Sequence, residues 1–199
     1  MSRVSYARRL SDLADADPGR LAVSCGEASL TRRQLEDEAT ALAHDLAARG
    51  VTTGGMVTIA LPNSVEWFVA AVAAWKLGAT PQPVAAHLPL PELAAIIELA
   101  DSAVVIGATA EAAGGRPWLP EGYQPQPVPP HAPPLPDAVS PAWKAPTSGG
   151  STGRPKLIVA GEPGLVDPEA RSPLRFVPRT RLVMPGPLYH NGPLVWSCA

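Results

Sequence analysis

Residues 56–84 read MVTIALPNSVEWFVAAVAAWKLGATPQPV, and this stretch decides the fold. Residues 56–61 are apolar and rich in β-branched side chains, which predicts a buried strand, and residues 80–84 predict a second one. Between them lies a helix with almost no polar face, for which we expect Asn63 to be the N-cap and Gly78 to follow the last turn. A strand, a helix buried on nearly all sides and another strand predict a βαβ unit in a mainly parallel sheet.

The flanking sequence continues the alternation of helix and strand. We predict further helices at 5–16, 31–49 and 91–100, and further strands at 21–24, 28–30 and 103–107. The helix at 31–49 has the clearest ends, because Thr31 and Gln34 form a capping box and Gly50 follows the last turn. The predicted fold class is therefore α/β, with a layered, mainly parallel sheet flanked by helices.

Composition divides the chain into three regions. Residues 1–115 form an N-terminal α/β region, residues 116–146 a proline-rich connector, and residues 147–199 a third region that carries the motifs discussed below. Eleven residues of the connector are proline, which excludes a helix or a central strand for most of its length. We expect an extended connector that packs over the surface or is partly disordered.

Charge and hydropathy exclude several functions. A formal net charge of −2 provides no basic surface, so we expect no nucleic-acid partner. The longest apolar run, at 65–75, is too short to be an integral membrane segment. No apolar stretch follows the basic N-terminus, and Cys25 and Cys198 lie far apart in sequence, so a cytoplasmic location is expected. The four histidines are scattered and predict no metal site; His44, His87 and His131 read as ordinary surface or core residues.

A glycine- and hydroxyl-rich stretch follows the connector. Residues 145–157 read APTSGGSTGRPKL, and the glycines allow the backbone to curl so that successive N–H groups can face one anion. Further donors and a positive charge come from Thr147, Ser148, Ser151, Thr152 and Lys156. The stretch therefore predicts a phosphate-binding loop.

This loop differs from the common P-loop and from a linker. Arg154 and Pro155 separate Gly153 from Lys156, and an apolar strand follows instead of a helix. A flexible Gly/Ser linker is the alternative, but a lysine and a β-rich run directly after the glycines are not linker features.

The stretch from Thr147 to Lys156 resembles the phosphate-loop signature of the adenylate-forming superfamily, which includes acyl- and aryl-CoA synthetases, luciferases and peptide-synthetase adenylation domains. Ala145 departs from the bulky apolar residue that is usual there. The resemblance implies that the β- and γ-phosphates of ATP are held by Thr147, Ser148, Gly149, Gly150, Ser151, Thr152, Gly153 and Lys156.

A second motif supports the first. Residues 184–192 read MPGPLYHNG, which resembles the Pro-Leu-aromatic-His segment that gates the carboxylate pocket in this family. The resemblance implies a catalytic role for His190 and substrate binding by Tyr189, His190, Asn191 and Gly192. Alone, a Tyr-His pair in a loop would most often be structural, but its position roughly 30 residues after a phosphate loop matches the family. Gly192 stands one residue earlier than the family's glycine, so a different local turn is expected.

The resemblance implies an acid–thiol ligase of the acyl-CoA synthetase type, most similar to the bile-acid or steroid-acid CoA ligase branch. The implied reaction is attack of a small carboxylic acid on the α-phosphate of ATP, which gives an acyl-adenylate and pyrophosphate, followed by displacement of AMP by coenzyme A. ATP, Mg²⁺ and coenzyme A are the implied cofactors and cosubstrates, and fatty acid or bile acid metabolism is the implied setting. The family's adenine, ribose, Mg²⁺ and catalytic-lysine elements normally lie beyond position 199, so we expect this chain alone to be inactive. An exposed, half-finished sheet favours a homodimer.

Two alternatives remain open. An amidase-type serine hydrolase would use Ser151 with a lysine such as Lys144, but it leaves the Tyr189–His190 segment unexplained. A non-catalytic nucleotide-binding or pseudoenzyme module would keep the sheet and the loop without the reaction.

Overall fold

The computed structural model describes residues 3–148, 155–170 and 180–198. Its helices are α1 (Tyr6–Ala16), α2 (Arg32–Ala48), α3 (Val65–Lys76), α4 (Leu90–Leu99), α5 (Ala110–Ala113) and α6 (Asn191–Ser197). Its strands are β1 (Val4–Ser5), β2 (Leu21–Cys25), β3 (Ala28–Thr31), β4 (Met56–Ile59), β5 (Thr80–Pro83), β6 (Ser102–Ile106), β7 (Trp118–Leu119), β8 (Thr147–Ser148), β9 (Lys156–Leu157) and β10 (Leu165–Val166).

A four-stranded parallel sheet lies at the centre of the fold. Its strand order is β5-β4-β6-β7, and each neighbouring pair is parallel. Helix α3 connects β4 to β5, and α4 leads from β5 past β4 to β6. The apolar side chains of α2 and α3 share one core with one face of the sheet, and those of α4 and α5 share a second core with the other face. The predicted α/β fold, with a layered parallel sheet between helices, is confirmed.

Helix α3 is buried on nearly all sides, as its sequence predicts. Trp67 is 1% exposed, and every residue from Val69 to Lys76 is buried. The helix packs between the sheet, through Val57 and Ile59, and the helices α1 and α2. Because a fully buried large apolar side chain contributes about 1.5–3 kcal/mol, this packing outweighs the low helix propensity of its valines and aromatic residues.

The helix caps confirm one prediction and correct another. Thr31 Oγ1 accepts a hydrogen bond from the Gln34 N–H at 3.2 Å, and the Gln34 side chain accepts one from the Thr31 N–H at 2.8 Å, so the capping box is present. The prediction that Asn63 caps α3 is wrong. Ser64 occupies the N-cap and accepts a hydrogen bond from the Trp67 N–H at 3.1 Å, because it directly precedes the first helical residue.

The proline-rich stretch contributes a strand to the central sheet. Strand β7 lies between two prolines and pairs with β6 at the edge of the sheet, where a missing N–H donor is tolerated. The far end of the stretch is also anchored. The Trp75 indole N–H donates to the Trp143 carbonyl at 2.8 Å, and the Tyr6 ring stacks on both tryptophans, with centroid distances of 5.0 and 5.8 Å.

No helix within the described parts of the chain has both the length and the apolar character needed to cross a membrane.

Candidate functional site

Two short antiparallel strands, β8 and β9, flank the glycine-rich stretch and form a hairpin. Strands β8 and β9 pair with Ser148 opposite Lys156, and hydrogen bonds from Ile158 N–H to Pro146 O (2.8 Å) and from Ala160 N–H to Lys144 O (3.0 Å) extend the pairing. Paired residues in such a ladder have Cα atoms about 4.5–5.5 Å apart, so the two ends of the stretch are held close together. Thr147 and Ser148 are half-buried and Lys156 is exposed. The other predicted phosphate-binding residues, 149–153, lie outside the described residues.

The hairpin is attached to the central sheet through β5. The Ala145 N–H donates to the Pro81 carbonyl at 3.0 Å, and the Gln82 side-chain amide donates to Thr147 Oγ1 at 2.9 Å. Residue 145 thus contacts residue 81, and residue 147 contacts residue 82. Because both numbers increase together, β8 runs parallel to β5. Ser148 and Lys156 consequently lie towards the carboxyl end of that strand.

The segment before His190 also lies at the carboxyl ends of the sheet's strands. Asn63, just beyond the carboxyl end of β4, accepts a hydrogen bond from the Leu188 N–H at 2.9 Å and donates one to the Gly186 carbonyl at 3.0 Å. Leu188 is buried in the main core. In open α/β sheets, ligands bind at the carboxyl ends of the strands, and two predicted motifs are brought to that edge here.

Three aromatic side chains meet at the carboxyl end of β5. The Tyr189 ring lies 4.5 Å from the His190 ring and 6.2 Å from the His87 ring, measured between centroids. His87 and His190 are exposed, so their ring nitrogens are accessible to a ligand. The sequence alone suggested an ordinary surface role for His87, because nothing local to it points to a contact with residue 189.

The Asn191 side chain has a partner within the protein. Its amide oxygen accepts a hydrogen bond from the Lys144 ammonium, which also lies 4.5 Å above the Trp143 ring. Burial lowers the pKa of Lys144 from its ordinary value. Asn191 is the first residue of helix α6, and Gly192 is the second, so the turn expected after His190 is the start of a helix.

The sequence pattern of a family described as "AMP-binding enzyme" matches residues 10–199, nearly the whole chain. The chain belongs to the AMP-binding enzyme family. An isonitrile lipopeptide synthase of Mycobacterium tuberculosis (strain ATCC 25618 / H37Rv) is 34% identical over 163 residues, which cover 78% of this chain and 6% of the synthase.

A second relative from the same strain is a medium/long-chain-fatty-acid–CoA/3-oxocholest-4-en-26-oate–CoA ligase. It is 40% identical over 80 residues, which cover 38% of this chain and 15% of the ligase. The chain therefore spans a small fraction of the length of these curated relatives.

Solved structures share this fold. The inhibitor-bound N-terminal domain of FACL13 from Mycobacterium tuberculosis superposes on this chain with a TM-score of 0.72 at 22% identity. The superposition covers 98% of this chain and 54% of the FACL13 chain. The O-succinylbenzoate coenzyme A synthetase MenE of Bacillus subtilis, in complex with AMP, superposes with a TM-score of 0.65 at 18% identity. This superposition covers 79% of this chain and 42% of the MenE chain. At these identities the likeness establishes the fold.

Within the described ranges of this AMP-binding enzyme, no three His, Cys, Asp or Glu side chains form a group that could hold a metal ion. The hairpin supplies hydroxyl groups and one ammonium, which suit an anion and not a cation.

Besides His87, sequence reasoning missed the positioning roles of Asn63 and Gln82. Each is a polar side chain that holds one of the predicted motifs, and each partner lies far away in sequence. The signal that could have singled out Gln82 was its long polar side chain in a predicted strand of the parallel sheet, where buried positions are normally apolar.

Proposed function

We propose that this chain provides the nucleotide-phosphate half of an ATP-dependent carboxylate-activating site, and that the parent activity is formation of an acyl-adenylate followed by a coenzyme A thioester. The observation that carries the proposal is the hairpin, which holds Ser148 opposite Lys156 at the sheet edge where Tyr189 and His190 also lie. Hydroxyls and an ammonium there can stabilise the charge that builds on the leaving pyrophosphate. Thr147, Ser148, residues 149–153 and Lys156 are assigned to the phosphates.

The carboxylic acid is proposed to bind beside Tyr189 and His190. Both side chains are at least partly accessible, and the rings of His87, Tyr189 and His190 form a continuous aromatic surface. Within this proposal His190 contacts the reacting carboxylate, and Gly192 leaves space beside it. Asn191, whose amide oxygen is bound to Lys144, holds helix α6 in place and supports the neighbouring His190.

For the substrate class we propose fatty or steroid side-chain acids, and for the location the cytoplasm. One matched relative is named for medium- and long-chain fatty acids and for a cholestenoic acid, which supports this choice. Mg²⁺ is proposed to arrive bound to the phosphates of ATP. The relatives are much longer than the part matched, and we propose that turnover requires that further length, so that the 199 residues bind nucleotide phosphates without completing the reaction.

The amidase alternative loses support, because Lys144 is engaged by Asn191.

An exchange experiment distinguishes the proposed carboxylate-activating site from a non-catalytic binding module. Residues 1–199 would replace the corresponding N-terminal part of the fatty-acid and cholestenoate CoA ligase. Carboxylate-dependent exchange of labelled pyrophosphate into ATP would then be measured across fatty, aromatic and bile acids. We expect exchange in the chimera and at least a tenfold loss with Lys156→Ala or Thr152→Ala, since each removes a contact to developing charge. Exchange that these two variants leave intact would refute the phosphate assignment.

A further inference from the structure

A chain of polar side chains crosses the buried centre of the parallel sheet. Thr58, Gln82 and Ser102 lie on the three adjacent strands β4, β5 and β6, and each is at most 1% exposed. The interior strands of a parallel sheet are normally apolar, because both faces are covered by helices. Burying these groups costs free energy unless they are hydrogen-bonded, so their partners carry information about why they are there.

The partners lead to the phosphate hairpin. Ser102 Oγ lies 2.5 Å from Thr58 Oγ1, the Thr58 hydroxyl donates to Gln82 Oε1 at 2.7 Å, and Gln82 Nε2 donates to Thr147 Oγ1 at 2.9 Å. Thr58 and Gln82 are direct register partners on neighbouring strands. The chain therefore begins in the middle of the sheet and ends at the first hydroxyl of the proposed phosphate site.

The direction of these hydrogen bonds determines what Thr147 can do. An amide oxygen only accepts and an amide nitrogen only donates, so the proton that Thr58 gives to Gln82 Oε1 turns the Gln82 NH₂ group towards Thr147. Thr147 Oγ1 accepts from that group, and its own hydroxyl proton is not used in this contact. A hydroxyl that accepts one hydrogen bond becomes a better donor of another. A phosphate oxygen only accepts hydrogen bonds, so it requires such a donor.

We propose that Gln82 is a positioning residue for the polyphosphate chain of a nucleoside triphosphate. It holds Thr147 Oγ1 from the protein side and so directs the Thr147 hydroxyl proton to the ligand. This inference rests on the proposed function of the hairpin and extends it into the core of the sheet. Gln82 itself does not touch the nucleotide.

The test is a double-mutant cycle in the 199-residue chain with sodium tripolyphosphate as the probe. Binding would be followed through the amide resonances of ¹⁵N-labelled protein, which reports weak affinities, for wild type, Gln82→Met, Thr147→Val and the double variant. Thr80→Val is the matched control, because Thr80 is a buried, hydrogen-bonded hydroxyl on the same strand whose partner is Ser140.

We expect Thr147→Val to weaken binding by about tenfold, the loss typical of one hydrogen bond to a charged group. Gln82→Met should weaken it by about three- to tenfold, and the double variant should bind no more weakly than Thr147→Val, because Gln82 acts through Thr147. Thr80→Val should lower the stability and leave the dissociation constant within about twofold.

The outcomes separate this inference from the proposed function. A wild-type chain that does not bind tripolyphosphate overturns the phosphate site and this inference together. If the wild type binds, unchanged or tighter binding by Gln82→Met, or additive losses in the double variant, overturns the role of Gln82 alone.

A second readout avoids altering the core. The Gln82 side-chain NH₂ resonances should exchange slowly with solvent in the wild type, since the group is buried and hydrogen-bonded, and should shift on addition of tripolyphosphate. In Thr147→Val the tripolyphosphate-induced shift should disappear. A shift that persists in this variant overturns the proposal.

Discussion

Replacing Lys76 with methionine tests the ion pair that joins the first three helices. Lys76 Nζ lies 2.6 Å from Glu36 Oε1, the two side chains are 8% and 14% exposed, and the Ser11 hydroxyl donates to the same carboxylate oxygen at 2.8 Å. Within the described part of the chain, nothing donates to the second carboxylate oxygen of Glu36. Lys76→Met therefore leaves a buried charge with one neutral donor.

The expected loss is large because the charge stays buried. Removing one partner of a buried ion pair costs about 3–5 kcal/mol. The bond from Ser11 and the slight exposure of Glu36 place this case at the lower end, about 3 kcal/mol. For a chain of this size that corresponds to a decrease in Tm of about 6–12 °C. Urea unfolding followed by circular dichroism would measure the free energy of unfolding directly.

Two further variants make the test decisive. Lys156→Met removes an exposed lysine and should change the free energy of unfolding by less than about 0.5 kcal/mol. The double variant Glu36→Leu/Lys76→Met removes both charges and should lie within about 1 kcal/mol of the wild type. A loss below about 1 kcal/mol in Lys76→Met, or a double variant as unstable as the single one, would refute the reasoning.

Other substitutions test the backbone and the alkaline limit. Gly107→Ala should lower the free energy of unfolding by about 3 kcal/mol or more, because φ is +82° and an added Cβ would lie 2.6 Å from the Ala60 carbonyl oxygen. Gly122→Ala is the control, since φ is +76° and an added Cβ would have nothing within 4 Å. It should lower the free energy of unfolding by only about 1–2 kcal/mol, and urea unfolding would measure both variants. Equal losses would contradict the clash. Burial raises the pKa of Tyr6 to about 12 from an ordinary value of 10.0, so the unfolded chain deprotonates first and stability should fall as pH rises above about 10. Tyr6→Phe should flatten this dependence in unfolding curves between pH 8 and 11, and an unchanged slope would disprove it.

Features set by neighbouring residues could be predicted from the sequence. The all-apolar pattern of α3 predicted its burial, and the Thr31–Gln34 spacing predicted a capping box, because both depend on contacts within a few residues. The βαβ alternation predicted the parallel sheet, because parallel neighbouring strands need a crossover connection, which is usually a helix. The apolar run at 157–160 predicted a strand after the glycines and the lysine, and the strand described there, β9, covers Lys156–Leu157.

Features set by distant partners could not be predicted in this way. Asn63 resembles a cap as much as Ser64 does, and the difference is made by Gly186 and Leu188, more than 120 residues later in the chain. Gln82 meets Thr147 across 65 positions. Such pairs leave no periodic pattern in a single sequence. The short strand β7 was missed because the prolines on either side of it argue against a strand in general. They are tolerated here because β7 is an edge strand, and the order of strands in the whole sheet determines which strand lies at the edge.

The central claim is that the hairpin of β8 and β9 holds the phosphates of ATP, and equilibrium binding of ATP to the 199-residue chain tests it most directly. Titration of wild type and Lys156→Met with ATP and Mg²⁺ would be followed through the amide resonances of the hairpin. We expect ATP to shift the resonances of Thr147, Ser148 and Lys156 and AMP to shift them much less. We expect Lys156→Met to weaken ATP binding by about tenfold or more. Shifts that AMP reproduces in full, or an ATP affinity that Lys156→Met leaves unchanged, would contradict it.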